Sequence, residues 1–198
     1  MIGPVHPSST PADPGVPDPR PAIVAVMGLP GAGKTTVAIA IARQLGMRRV
    51  CRDAIRAAMF PDCDFSFIEK RAAFRGVLLA LEINCALGAS SVIDGMTYSR
   101  RDDYDRVAAL GRERGIAIVP LLLDCTPSLA RSRIANDLAL DGHRAGDRVP
   151  RIVDCVAARF ESPPAESIRI DANLPAIQVC RRAVAIVASR LGIDAGDV

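Results

Sequence analysis

The chain has no tryptophan, only two tyrosines and five phenylalanines, and only two histidines among 198 residues. Aromatics this scarce do not furnish a stacking platform for single-stranded nucleic acid. A net charge of only +3 falls short of the basic stripe of a general nucleic-acid binder. No apolar run reaches the roughly 20 residues that span a bilayer, and the longest, 116–123, has the length of a strand. Six cysteines (Cys51, Cys63, Cys85, Cys125, Cys155, Cys180) are scattered with no C-x-x-C pair. That spacing lacks the ligand pattern of a zinc site, and the six read as reduced thiols, mostly core filler. Cys51 reads as a small apolar residue ending a strand. Lysine is nearly missing too: Lys34 and Lys70 are the only two, and arginine, the better residue for forked phosphate contacts, carries almost all positive charge.

What is present begins with a leader. Residues 1–21 hold seven prolines and little that can pack, so they read as an extended or disordered segment. The leader lacks the basic start and continuous apolar core of a signal peptide, and we expect a cytoplasmic location. Residues 22–198 suit one domain with one sizeable core.

The decisive motif is Gly28-Leu29-Pro30-Gly31-Ala32-Gly33-Lys34-Thr35-Thr36, which fits G-x-x-x-x-G-K-[ST] at every fixed position. Glycines let the backbone curl so that successive N–H groups face phosphate oxygens. Lys34 adds charge at the β- and γ-phosphates, and the Thr35 hydroxyl is the candidate ligand of Mg²⁺. A short β-branched run, 23–27, precedes the loop and a helical pattern follows it, so a helix N-terminus faces the same anion. The ligand class is a nucleoside triphosphate with Mg²⁺. No guanine-reading N-K-x-D follows, and we expect ATP.

Further along, strands are expected over 48–51, 91–94, 116–124 and 167–171. Helices are expected over 35–45, 53–59, 66–87, 100–114, 127–135, 149–160 and 175–191. This alternation implies an α/β fold, with a parallel sheet between helices and the ligand at the strands' C-terminal ends. The polar segment 136–148 breaks the alternation and reads as a short lid that excludes water.

Residues just after the strands are the candidates for chemistry. Asp53 follows the second strand, where it caps a helix, acts as general base, or supports Mg²⁺ through a bound water. Arg56, three residues on, shares its helix face, so a carboxylate beside a guanidinium would deprotonate and orient an acceptor hydroxyl. Asp94 ends Ser91-Val92-Ile93-Asp94, an apolar strand resembling a Walker B segment whose carboxylate supports Mg²⁺; an acceptor contact and a plain strand-end turn remain open. Arg100 or Arg101 would reach a phosphate or merely start a helix in solvent. Arg131 and Arg133 are two apart and cannot share a face, so one of them, or Arg144 or Arg148 in the lid, would neutralise transferred charge. Arg133 is our candidate. His143 reads as a surface residue, and His6 lies in the leader.

Together these residues, over about 23–160, resemble the small P-loop kinases of the AAA-type ATPase group, zeta-toxin-like and polynucleotide-kinase-like. Val50-Cys51-Arg52-Asp53-Ala54-Ile55-Arg56 is similar to the strand-then-R-D-x-x-R segment of polynucleotide 5′-hydroxyl kinases. Ser91 to Asp94 with Arg100, Arg101 and Gly115 is similar to the block of apolar strand, Asp and Arg-led helix. The resemblance implies a three-layer P-loop fold with a five-stranded parallel sheet in the order 2-3-1-4-5. It implies Asp53 as base, Arg56 on the acceptor, and transfer of the ATP γ-phosphate to a hydroxyl. Relatives act on nucleic-acid ends, seryl-tRNA, sugars, nucleotide sugars, adenylyl sulfate and antibiotics. The chain departs from the polynucleotide-kinase-like lid, which tends to carry a second Arg four after the first; here Asp137 stands four after Arg133. Arg159-Phe160-Glu161-Ser162-Pro163 is similar to the R-F-E-x-P end of seryl-tRNA-kinase-like members. A small-molecule acceptor fits the charge and aromatic content best. A polynucleotide 5′-hydroxyl or tRNA end, and a switch or ATPase that transfers phosphate only to water, are the alternatives.

Overall fold

The computed structural model describes residues 21–140 and 149–193. Residues 1–20 of the leader, and His143, Arg144 and Arg148 of the expected lid, lie outside the described residues. The first strand, β1 (Ala22–Gly28), is buried along its whole length. Its side chains alternate between faces, as the two-residue strand period demands. Val24 and Val26 pack with Val37 and Ile41 on one face, while Ile23, Ala25 and Met27 pack with Val77, Leu81 and Val107 on the other. Burial on both faces explains why the strand reads as a continuous apolar run.

β1 leads through the glycine loop into α1 (Lys34–Gln44). Then follow β2 (Arg48–Cys51), α2 (Arg52–Met59), α3 (Phe67–Ala86), β3 (Ser91–Asp94), α4 (Arg101–Arg114) and β4 (Ala117–Asp124). The chain continues through α5 (Pro127–Ala139), α6 (Ile152–Ala157), β5 (Ile168–Asp171) and α7 (Ala176–Leu191). The strands form one parallel sheet in the order β2-β3-β1-β4-β5. α1 and α7 supply the core on one face, α3 and α4 the core on the other. This is the expected three-layer P-loop architecture. Strand order reverses around β1, so the crevice at the carboxyl ends of β1 and β3 is where a ligand belongs.

Two helices differ from the expected spans by more than one residue at an end. α5 continues to Ala139 rather than stopping at 135, so the first four residues of the expected lid 136–148 are helical. Asn136 and Asp137 are only mild helix breakers, and no glycine or proline intervenes before Gly142. α6 covers only 152–157 of the expected 149–160, with turns on both sides; Pro150 is tolerated there because it precedes the helix.

One local signal positions the site from a distance. Ser66 caps α3, its hydroxyl accepting from Glu69 N at 3.3 Å, while the Glu69 carboxylate reaches back to accept from Phe65 N at 2.9 Å. This reciprocal cap fixes Phe65 in a left-handed conformation, φ 58°, with its ring 4.6 Å from the Arg56 guanidinium.

Candidate active site

The ends of β1, β2, β3 and β5 deliver residues to one cavity of about 630 Å³ at the carboxyl edge of the sheet. The loop after β1 lines its floor. Gly31 and Gly33 take φ of 81° and 93°, conformations that favour glycine. Gly31 has no room for more: a Cβ there would lie 2.3 Å from the Ala130 carbonyl oxygen of α5, whereas a Cβ at Gly33 would meet nothing within 4 Å. The first requirement is packing against α5; the second is open space above the N-terminus of α1. Lys34 donates from Nζ to the carbonyls of Gly28 at 3.0 Å and Leu29 at 2.8 Å, so its charge lies across the loop.

Thr35, in the first turn of α1, donates from Oγ1 to Asp94 Oδ1 at 2.9 Å. Asp94 is fully buried at the end of β3. It also accepts from Gly95 N at 2.7 Å and, through Oδ2, from Arg49 Nη1 at 2.8 Å. A buried carboxylate must be satisfied in this way. A hydroxyl and a carboxylate side by side beneath an anion-binding loop are a fitting donor set for Mg²⁺, a hard cation that takes oxygen ligands and is held largely through phosphates. No three His, Cys, Asp or Glu side chains among the described residues group to hold a metal unaided, and none is needed for such an ion.

Across the cavity, α2 starts immediately after β2. Its N-cap is Cys51, with no side-chain cap, so Asp53 does not cap the helix. Instead Asp53 Oδ1 faces two guanidinium groups, Arg56 Nη2 at 3.2 Å and Arg52 Nη2 at 3.4 Å. Gly95 makes room for it: with φ 79°, it approaches so closely that a Cβ would lie 3.2 Å from Asp53 Oδ2. Arg56 is buried beneath Phe65. Cys51 also lines the cavity, and burial pushes its thiol pKa up, leaving it protonated near neutral pH and a poor nucleophile.

On the β4–β5 side, Arg133 Nη2 donates to the Ala172 carbonyl at 3.0 Å and lines the cavity. Arg131 does not: its guanidinium pairs with Asp154 of α6. Extension of α5 brings Asp137 to the same cavity as Arg133. Arg100 and Arg101 do not line it, and Arg101 pairs with Asp105 at 2.9 Å. The Arg159-Phe160-Glu161 stretch divides its labour. Arg159 lines the cavity, Phe160 packs on the core, and Glu161 Oε2 accepts from Arg101 N at the start of α4 at 2.7 Å. Lys34, Thr35, Asp53, Arg56, Asp94 and Arg133 are therefore brought together. Arg159, from the R-F-E-x-P stretch, joins them, as do Arg49 and Lys70, which no sequence signal singled out for the site.

A family model described as an AAA domain matches residues 23–149. The chain belongs to the AAA domain family. No curated protein matches this AAA domain protein in sequence. Among solved structures it is similar to a sugar kinase from a Janibacter species, with TM-score 0.65 and 20% identity over 90% of this chain and 99% of that one. It is also similar to a gluconokinase from Sinorhizobium meliloti 1021, with TM-score 0.64 and 19% identity over 87% and 95% of the two chains. A third similar structure is an APS kinase from Mycobacterium tuberculosis in complex with AMPPNP and APS, with TM-score 0.63 and 17% identity over 85% and 96%. At these identities the likeness establishes the fold. No helix among the described residues is long and apolar enough to cross a membrane.

Proposed function

We propose that this AAA domain protein is an ATP-dependent kinase that transfers the γ-phosphate to a hydroxyl of a small-molecule acceptor. The observation that carries this reading is Asp53: a carboxylate in the same cavity as the phosphate-binding loop, on the opposite side from Lys34, flanked by two arginines. An ATPase would also use such a group to orient water; it is the two flanking arginines, which a water nucleophile does not need, that favour an acceptor. The solved neighbours named for sugar, gluconate and APS kinase activity support the same class.

In this reading the loop N–H groups and Lys34 bind the β- and γ-phosphates. Thr35 and Asp94 would hold Mg²⁺, which when bound neutralises charge on the phosphate oxygens. Asp53 takes the proton of the acceptor hydroxyl. The oxygen lone pair forms the new bond to the γ-phosphorus, and the bond to the β,γ-bridging oxygen breaks, its electrons leaving with ADP. Arg56, held by Phe65, keeps Asp53 in place and faces the acceptor, and Arg133 neutralises charge on the transferred group. Almost all of this is positioning and electrostatics, which is what phosphoryl transfer requires.

The test is transfer of label from γ-labelled ATP with Mg²⁺ into a deproteinised metabolite extract and, in parallel, a 5′-hydroxyl oligonucleotide, with Lys34→Ala as the blank. Label in the extract supports the small-molecule reading. Label on the oligonucleotide establishes an end kinase instead, and free phosphate alone establishes an ATPase.

A further inference from the structure

The cavity has two halves, set by the sheet. The triphosphate loop follows β1, while Arg52 and Asp53 follow β2, with β3 between them. Two strand spacings place these features roughly 10 Å apart. Arg52 therefore lies on the acceptor side, away from the loop that serves the nucleotide. Its guanidinium is poorly satisfied there. Nη1 meets only the soft sulfur of Met96 at 3.5 Å, and Nη2 lies at 3.4 Å from Asp53 Oδ1, an oxygen shared with Arg56. Nε is buried and has no hydrogen-bond partner among the described residues. Buried donors are rarely left this way, and a guanidinium fork is matched by an oxyanion rather than a neutral hydroxyl. Arg52 and Arg56 against the single carboxylate of Asp53 leave this cluster positive. Arg49 adds nothing to it, since Asp94 neutralises it.

We infer that the acceptor is itself an anion: a small hydroxylated compound bearing a carboxylate or phosphate group, which Arg52 binds while Asp53 takes the proton of its hydroxyl. This deepens the proposed kinase reading and rests on it. A neutral polyol would leave Arg52 Nη1 with only a thioether, whereas an oxyanion supplies a matched acceptor for the fork and offsets the excess charge.

The experiment divides a deproteinised, low-molecular-weight metabolite extract by anion exchange into a neutral and an anionic fraction. Each is incubated with γ-labelled ATP, Mg²⁺ and the full chain, with Lys34→Ala as the blank. The expected result is a labelled product from the anionic fraction only. For the acceptor purified from it, Arg52→Gln raises KM at least tenfold with kcat changed less than threefold and nucleotide affinity kept, and Arg52→Lys recovers part of the loss. Chemical analysis of the product tells carboxylate from phosphate. A labelled product from the neutral fraction, or an Arg52→Gln variant with unchanged KM, overturns the inference and leaves the kinase reading standing. No labelled product from either fraction overturns the kinase reading and this inference with it.

Discussion

Thr35 Oγ1 donates to Asp94 Oδ1 at 2.9 Å, joining two residues 59 positions apart in the chain. The contact exists because β3 pairs with β1 in register, Ala25 opposite Ile93, so that the first turn of α1 and the end of β3 meet. It couples the phosphate-binding loop to the middle of the sheet. Asp94 is the hub, since Arg49 and Gly95 N also converge on it.

Asp94→Asn keeps the shape of this hub and removes its charge. Arg49 then loses its ion-pair partner, and the proposed Mg²⁺ site loses its anionic oxygen. A Mg²⁺ titration of activity should show at least a tenfold rise in the half-saturating concentration. Thermal unfolding should show a loss of roughly 1–3 kcal/mol, the usual cost of disrupting a buried charged hydrogen bond.

Gly95→Ala tests the fit between β3 and α2. The new methyl would lie 3.2 Å from Asp53 Oδ2, at a residue with φ 79°. Strain of about 1–2 kcal/mol should lower Tm by a few degrees. Displacement of Asp53 should cut kcat more than tenfold, because small misplacements of a reacting group are expensive. Circular dichroism would report the retained fold.

Gly31→Ala and Gly33→Ala separate packing from backbone conformation. The first drives a methyl to within 2.3 Å of the Ala130 carbonyl of α5, while the second meets nothing within 4 Å. Gly31→Ala should lower Tm clearly more than Gly33→Ala, whose cost is the left-handed strain of about 1 kcal/mol. Both should weaken nucleotide binding by isothermal titration, because both distort the loop's N–H array.

Arg133→Ala should lower kcat/KM about tenfold or more, as expected for loss of a positive charge at transferring phosphate. Arg131→Ala should change it less than twofold, since Arg131 pairs with Asp154 away from the cavity; surface pairs of that kind contribute at most about 1 kcal/mol. Steady-state kinetics of the two variants side by side provides the comparison.

Much of this site was legible in the sequence because its parts are local. Gly28 to Thr36 is one continuous motif, and Asp53 and Arg56 lie one helical turn apart. Asp94 ends a short apolar strand, and strand–helix alternation marks every layer. The partners that complete the site were not legible, because each is a tertiary event. Arg49 sits on an edge strand with nothing local to announce that it reaches Asp94. Phe65 is an unremarkable aromatic until the Ser66–Glu69 cap turns its ring onto Arg56. Gly95 reads as a turn glycine, yet its closeness to Asp53 depends on how β3 and α2 pack. The end of α5 is not legible because the polar segment 136–148 reads as one loop, whereas Asn136 and Asp137 only mildly disfavour a helix and the added turn is largely exposed.

The central claim is that Asp53 activates an acceptor hydroxyl for attack on the γ-phosphate. The direct measurement is acceptor-dependent transfer from γ-labelled ATP by Asp53→Asn beside the unmodified chain, with the ATP Kd measured on both. The account predicts a loss in transfer rate of about 10²- to 10⁴-fold, the usual contribution of a general base, with ATP Kd within twofold. Transfer at the unmodified rate by Asp53→Asn would contradict it.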